Sequence, residues 1–386
     1  MRGMARINGW VQDASGSVAD LGVLAPIAAA LVIGNGFDAG TILVGVGALY
    51  LLAGLYFKVP VPVQPIKAAA AIAIARGLPP ETLAVAGVLL GVVVLIAGAT
   101  GMAKWLARAF AEPIVRGLQL GVGLILMKTA FVLASPTGSA IPVAVALTIA
   151  VVLVWAGRRT SPVPIALGII AGGTLFALAT TQSLPAVHLA LWTPHLNAAV
   201  LDPTVLSSAL VLLVIPQIPL TFGNAVIAVV DLEHRYFPIE SRRVNARSIS
   251  LSCGIANVAT GALTGMPMCH GSGGLTAHYR AGARSYRMNL IIGGALLVLG
   301  LGFASTAFAW LTLIPAAVLA GFLAFTGLFH SSLAATLRGT DLAIAIAMGM
   351  LGLITTNLAF SLALGLALYW PLVLVTSRRG LEPAQS

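Results

Sequence analysis

Lys67 is the residue most able to do chemistry, because it lies in an apolar run just after Pro60-Val61-Pro62-Val63-Gln64-Pro65 and ahead of an alanine-rich stretch to Ala75. An ammonium in the hydrocarbon zone is costly and needs a reason. Pro65 sets the start of a helix there, which puts Lys67 in its first turn. Helix N-termini already carry about half a positive charge, and a bound anion resolves that conflict of like charges. The alternative is a lysine that snorkels to the interface. A second interrupted run, Pro267-Met268-Cys269-His270-Gly271-Ser272-Gly273-Gly274, follows about 200 residues later. Gly273 and Gly274 let backbone N–H groups approach a ligand closely, and Ser272 can donate its hydroxyl proton. A glycine-rich helix contact is the alternative there. His270 can meet an anion or be a satisfied buried polar group. Two half-helix starts plus Lys67 sum to about two positive charges, which suits a small divalent anion.

Other polar residues are ambiguous. Gln217, Thr221 and Asn224 recur at spacings of four and three between and after Pro216 and Pro219, so they share one helix face. They can line a cavity or satisfy a proline-kinked backbone, and the same two roles are open to Gln64. Lys128, near the end of an apolar run, fits snorkelling. The eleven acids fall at loops or segment ends, with Asp20 the deepest, so the core is expected to be electropositive only. Cys253 and Cys269 imply neither a disulfide framework nor a metal site. No cofactor is expected.

The elements that must position these groups are membrane spans. The 386 residues are 59% hydrophobic and 8% charged, with mean hydropathy +1.01, whereas a soluble domain carries about 25% charged residues. The short N-terminus ahead of the first apolar run does not read as a cleavable signal. Apolar runs place spans near 19–34, 41–57, 62–76 (broken), 82–101, 113–133, 140–156 and 162–180, then 204–230, 248–262, 267–280 (broken), 287–303, 306–326, 341–355 and 358–376. The expected fold is therefore all-α and polytopic, about 14 transmembrane segments as a 7+7 inverted repeat. The broken half-helices are third and tenth. The repeats are 1–181 and 204–378, joined by an extracytoplasmic linker at 182–203 that holds His188, His195 and Asp202. With both termini cytoplasmic, 18 of the 21 basic residues fall in inside loops, as the positive-inside rule demands. Arg76 alone falls outside, while Lys67 and Lys128 fall in the membrane. The net charge of +10 thus reports topology, and no nucleic-acid partner is expected. The run Asp231 to Arg247 reads as a cytoplasmic loop or interfacial helix.

At these residues the chain resembles the molybdate transporter family related to the sulfate permeases. The resemblance rests on PVPVQPIKA at 60–68, RGLQLGVGL at 116–124, PQIPLTFGNAVIAVVDL at 216–232 and GMPMCHGSGGLTAHYRAGARS at 265–285, with Asp20-Leu21-Gly22 near the start of the first span. It implies core and gate domains, substrate held between the third and tenth segments, and a homodimer in the cell (inner or plasma) membrane. It also implies that the soluble C-terminal domain of the wider superfamily is absent. The expected activity is secondary import of a tetrahedral oxyanion, molybdate first, with tungstate or sulfate as neighbours. The expected partners are that oxyanion and the lipid bilayer. A nucleobase or aromatic-acid carrier on the same architecture is the main competitor. An anion channel is another. An enzyme would need a nucleophile–base pair or metal cluster in the bundle, and the sequence offers only adjacent Cys269 and His270.

Overall fold

The computed structural model describes residues 2–103, 105–106, 110–135, 139–159, 163–181 and 186–378. Lys104, Arg108 and Arg379 of the charge count lie outside the described residues. The helices are α1 (Arg2–Ser17), α2 (Leu21–Asn35), α3 (Ala39–Phe57), α4 (Lys67–Arg76), α5 (Pro80–Thr100), α6 (Glu112–Ala134), α7 (Ala140–Arg159), α8 (Val163–Thr181), α9 (Pro203–Tyr236), α10 (Ala246–Ala262), α11 (Ser272–Arg280), α12 (Arg287–Gly302), α13 (Ala304–Thr312), α14 (Ala316–Ser332), α15 (Gly339–Thr355) and α16 (Leu358–Arg378). Two short strands, β1 (Gln64–Pro65) and β2 (Met268–Cys269), and three short 3-10 turns, Ala198–Leu201, Ser241–Arg243 and Leu333–Thr336, complete the described elements. Five described helical runs are long and apolar enough to cross a membrane, and six shorter apolar helices accompany them.

Local chemistry sets the helix ends. Asp38 caps α3 by accepting from the N–H and hydroxyl of Thr41, both at 2.7 Å. Asn245 and Ser248 form a reciprocal capping box at the start of α10. Asn35, at the end of α2, donates to Ala73 O and Leu78 O at 2.9 and 2.8 Å, closing the last turn of α4.

Three differences from the sequence reading have physical causes. Helix α1 precedes the first apolar run; its mixed polar sequence carries no span signal. The expected span at 306–326 is instead two helices, α13 and α14, because Pro315 lies between them. Helix α9 continues through the first part of the expected cytoplasmic loop, to Tyr236, and contains two π-helical stretches, at Ala209–Val214 and Thr221–Ile227, that flank its prolines.

Helices pair across the two halves of the chain. α3 lies along α12 and α5 lies along α10, while α6 packs on both α14 and α15. Glycines face each other at these seams: Gly47 with Gly293, Gly91 with Gly254, and Gly123 with Gly327. In lipid, helices associate through close van der Waals packing of small residues, and these pairs let backbones touch. Helices α6, α7, α14, α15 and α16 form one packed group; α3, α4, α5, α9, α10, α11 and α12 form another.

At one end of the bundle, Asp13 accepts from Arg284 N (2.8 Å) and Ser285 N (3.0 Å), Arg243 donates to Tyr56 O (2.8 Å), and Lys58 lies 4.7 Å over the Tyr286 ring. At the other end, Arg76 donates to Thr355 O and Thr356 O at 2.8 and 2.9 Å. The linker crosses that second end, where Trp192 Nε1 donates to Thr41 Oγ1 at 3.0 Å.

The seams predict a sharp contrast between adjacent positions on α12. A Cβ at Gly293 would stand 2.9 Å from Gly47 O and 3.0 Å from Leu51 N, whereas one at Gly294 would meet nothing within 4 Å. Gly293→Ala should destabilise the protein by ~1–3 kcal/mol. Gly294→Ala should be neutral or stabilising by ~0.5–1 kcal/mol. Thermal unfolding of both variants in detergent checks the difference; equal midpoints would contradict the seam.

Candidate functional site

Proline at positions 60, 62, 65 and 267 keeps both interrupted segments out of helical geometry. The segments meet as a minimal antiparallel ladder, with Gln64 opposite Cys269 and Pro65 opposite Met268. Ile66 N adds a bond to Pro267 O at 3.1 Å. Buried side chains satisfy further parts of this non-helical backbone. Asn289 of α12 accepts from Val61 N at 3.0 Å and donates to Val61 O at 2.7 Å. Asn257 of α10 accepts from Met268 N at 2.7 Å and donates to Met268 O at 2.8 Å. Such backbone persists at membrane depth only when protein supplies every missing partner.

Helices α4 and α11 start from the two sides of this crossing. Neither has a side-chain cap from its own N-cap residue, Ile66 or Gly271, and neither has an acid in its first turn. In α4 the Ala69 amide finds a partner in Gln217 Oε1 of α9 instead, and helix starts without their own cap carry partial positive charge that suits an acceptor. Lys67 is the first residue of α4 and Ser272 the first of α11.

The structure brings most of the sequence candidates together. Half-buried Lys67 donates to Gln64 Oε1, and Gln64 donates through Nε2 to Asp20 Oδ1, each at 2.5 Å. A Cβ at Gly271 would stand 3.3 Å from Lys67 Nζ and would overlap Gln64 Oε1. Gly271 is thus fixed by close approach, a role the sequence reading did not assign. Gly274 is similarly constrained, since its Cβ would lie 2.7 Å from Asp20 Oδ2 and 2.8 Å from Gln64 Nε2. Gly273 is different: it is exposed, and its Cβ would meet only Phe329, at 4.0 Å. Ser272 donates to Asn224 Oδ1 of α9. Gln217 accepts from Ala69 N of α4 at 3.4 Å and donates to Thr221 Oγ1 at 3.2 Å. Gln217 therefore supports the terminal backbone of α4 and Thr221 holds Gln217 in place, while Gln217 and Asn224 also line a cavity with Lys67. Lys128 is exposed on α6, away from this crossing.

Two expectations change. The core is not purely electropositive: Asp20 is 1% exposed, reaches the site through Gln64, and leaves Oδ2 without a partner. Sequence position hid this, because Asp20 stands at a segment end and folding buries that end. His270 is fully buried with both ring nitrogens engaged. Nδ1 donates to Pro62 O at 2.8 Å, so Nε2 accepts from Ser252 Oγ, also at 2.8 Å. It ties the two interruptions together and has no nitrogen left for a ligand in this arrangement.

Lys67 forms no ion pair within 4.0 Å; the ion pairs among the described residues are Arg116–Glu112 and Arg235–Asp231. The cavity beside it has a volume of about 20 Å³, room for roughly one water. Its walls include Gln119, Cys269 and His330, which the sequence reading did not select. Gln119 lies within the 116–124 motif; His330 sits in a plain apolar helix and gave no pattern to read.

Comparisons with known proteins agree with this architecture. A family model described as "Molybdate transporter of MFS superfamily" matches residues 12–126 and 209–329. Molybdate transporter 2 of Arabidopsis thaliana is 28% identical over 361 residues, covering 82% of this chain and 77% of that protein. Molybdate transporter 1 of Chlamydomonas reinhardtii is 34% identical over 157 residues, covering 39% of this chain and 30% of that protein. Among solved structures, the transmembrane domain of the cyanobacterial bicarbonate transporter BicA superposes with TM-score 0.65 at 18% identity, over 92% of this chain and 96% of that one. SLC26A9 superposes with TM-score 0.66 at 15% identity, over 95% of this chain and 65% of that one. Both have the fold seen here.

The bridging role of His270 is testable without any ligand. His270→Phe keeps ring volume but leaves Pro62 O and Ser252 Oγ unpaired, so it should cost ~1–3 kcal/mol of stability. An unchanged unfolding midpoint in the ligand-free protein would return His270 to the ligand contacts.

Proposed function

The chain belongs to the molybdate transporter family, and from that premise we propose that it imports molybdate by alternating access, holding the anion between the starts of α4 and α11. The family is one of membrane transporters, and anion transport is the coarse activity. The observation that carries the finer reading is the pair of facing helix starts, uncapped by their own N-cap side chains, beside Lys67, a cation with no carboxylate partner.

A tetrahedral dianion leaves water only where charge and hydrogen bonds replace its hydration shell. The first amides of α4 and α11 supply about half a charge each and Lys67 a full one, for about two positive charges. Ionised Asp20, one residue removed through Gln64, offsets about half of that total. Ser272 can turn its hydroxyl from Asn224 to the anion, and the Asn224 amide can contribute a donor in exchange. Gln64 holds Lys67 in place and Gly274 keeps the second helix start open. The small cavity admits a four-oxygen anion only when Lys67 and Asn224 move aside, so binding is coupled to rearrangement at the crossing. Movement of the α6, α7, α14, α15, α16 group against the group carrying α4 and α11 then exposes the site alternately to either face. Seven plus seven spans in two inverted repeats, 1–181 and 204–378, cytoplasmic termini in a cell membrane and assembly as a homodimer complete the proposal.

Lys67→Ala should abolish molybdate uptake while the protein still reaches the membrane. Uptake in cells that express the variant, with tungstate, sulfate, uracil and benzoate as competitors, checks both residue and substrate class. Undiminished uptake would remove the lysine; competition by uracil or benzoate and not by tungstate would remove the oxyanion. Flux that rises linearly without saturation would indicate a channel.

A further inference from the structure

The cavity that the start of α4 lines through Lys67 and Ala68 is closed in part by the other helix group. That group carries His330 of α14 and Gln119 of α6, at 6% and 4% exposure, both facing the cavity shared with Lys67. Neither His330 ring nitrogen has a hydrogen-bond partner. Buried polar groups are almost always paired, and one left open at a cavity wall is a group that a ligand can satisfy. Gln119 is oriented: its Oε1 accepts from Arg116 Nη1 at 3.1 Å, and Arg116 is itself fixed by Glu112 at 3.1 Å. With its oxygen occupied, the amide turns its N–H groups elsewhere. Among the described residues no aspartate or glutamate lines the cavity, and three of its polar side chains, Gln119, Gln217 and Asn224, have their amide oxygens engaged by other donors.

Geometry gives these donors a purpose. A tetrahedral oxyanion gripped from one side by two helix starts must turn at least one oxygen toward the opposite wall. A planar anion can place all its oxygens in the plane of the grip. We infer that His330 and Gln119 donate hydrogen bonds to the outward oxygen of a tetrahedral oxyanion, so that both helix groups hold the substrate and His330 helps select its shape. This rests on the oxyanion reading proposed above and adds a contact from the opposing group. An anion held from both sides ties site occupancy to the distance between the groups, which lets bound substrate favour the closed arrangement.

Calorimetric titration of purified protein with molybdate and with bicarbonate, a planar anion, tests this in wild type, His330→Gln, His330→Met and Gln119→Leu. Glutamine and methionine both fill the space of the imidazole, but only glutamine donates. His330→Met and Gln119→Leu should each raise the molybdate Kd ~10- to 100-fold, and His330→Gln should restore most of the loss. Any bicarbonate affinity should change far less. Direct contact is read by NMR of ¹⁵N-histidine-labelled protein: molybdate should shift one imidazole signal, and that signal should vanish in His330→Gln. Equal Kd values for all four proteins, or equal losses in the glutamine and methionine variants, would overturn the inference. No heat from molybdate with folded wild type would instead overturn the oxyanion reading on which it rests.

Discussion

The structure depends on one constraint: non-helical backbone at membrane depth survives only when protein groups satisfy each N–H and C=O. The crossing of the two interrupted segments is that problem solved. The segments pair with each other at Gln64 and Cys269, and two buried asparagines pair with the backbone of Val61 and Met268. His270 locks one segment to the carbonyl of Pro62 in the other. Leaving one of these groups unpaired costs about 1–3 kcal/mol, so the backbone of the crossing is held in place while the Lys67 and Asn224 side chains above it keep their freedom. Rigidity is what allows two short helices to point their N-termini at one place.

Electrostatics then follow from position. Helix starts that meet are positive, and Lys67 adds to them. Asp20, linked to Lys67 through the neutral amide of Gln64, is the acidic group nearest that charge in the hydrogen-bond chain. This chain of Asp20, Gln64 and Lys67 keeps an ammonium tolerable in a low-dielectric setting without a direct ion pair.

Packing between halves of the chain places the rest. Facing glycines let α3 approach α12 and α5 approach α10, which carries the asparagines to the crossing. The second helix group supplies the far wall, with α6 and α14 closely seamed at Gly123 and Gly327.

Much was legible in the sequence, for physical reasons. Apolar runs must match the bilayer, so the positions of most apolar helices were readable within a few residues. Arginines and lysines partition to one face, which placed Lys58, Arg243 and Arg284 together at one end. Prolines cannot sit in a helix interior without cost, so the interruptions at 60–65 and 267 announced themselves. Lys67 was conspicuous because a lone cation in an apolar run needs a reason. Only tertiary structure decided what each polar group faces. It turned His270 into a bridge, buried Asp20 against Gln64, made Gly271 and Gly274 sterically necessary, and set His330 and Gln119 on the wall across from Lys67. Those assignments depend on contacts between residues tens to hundreds of positions apart, and a pattern along the chain carries no record of which side chain meets which.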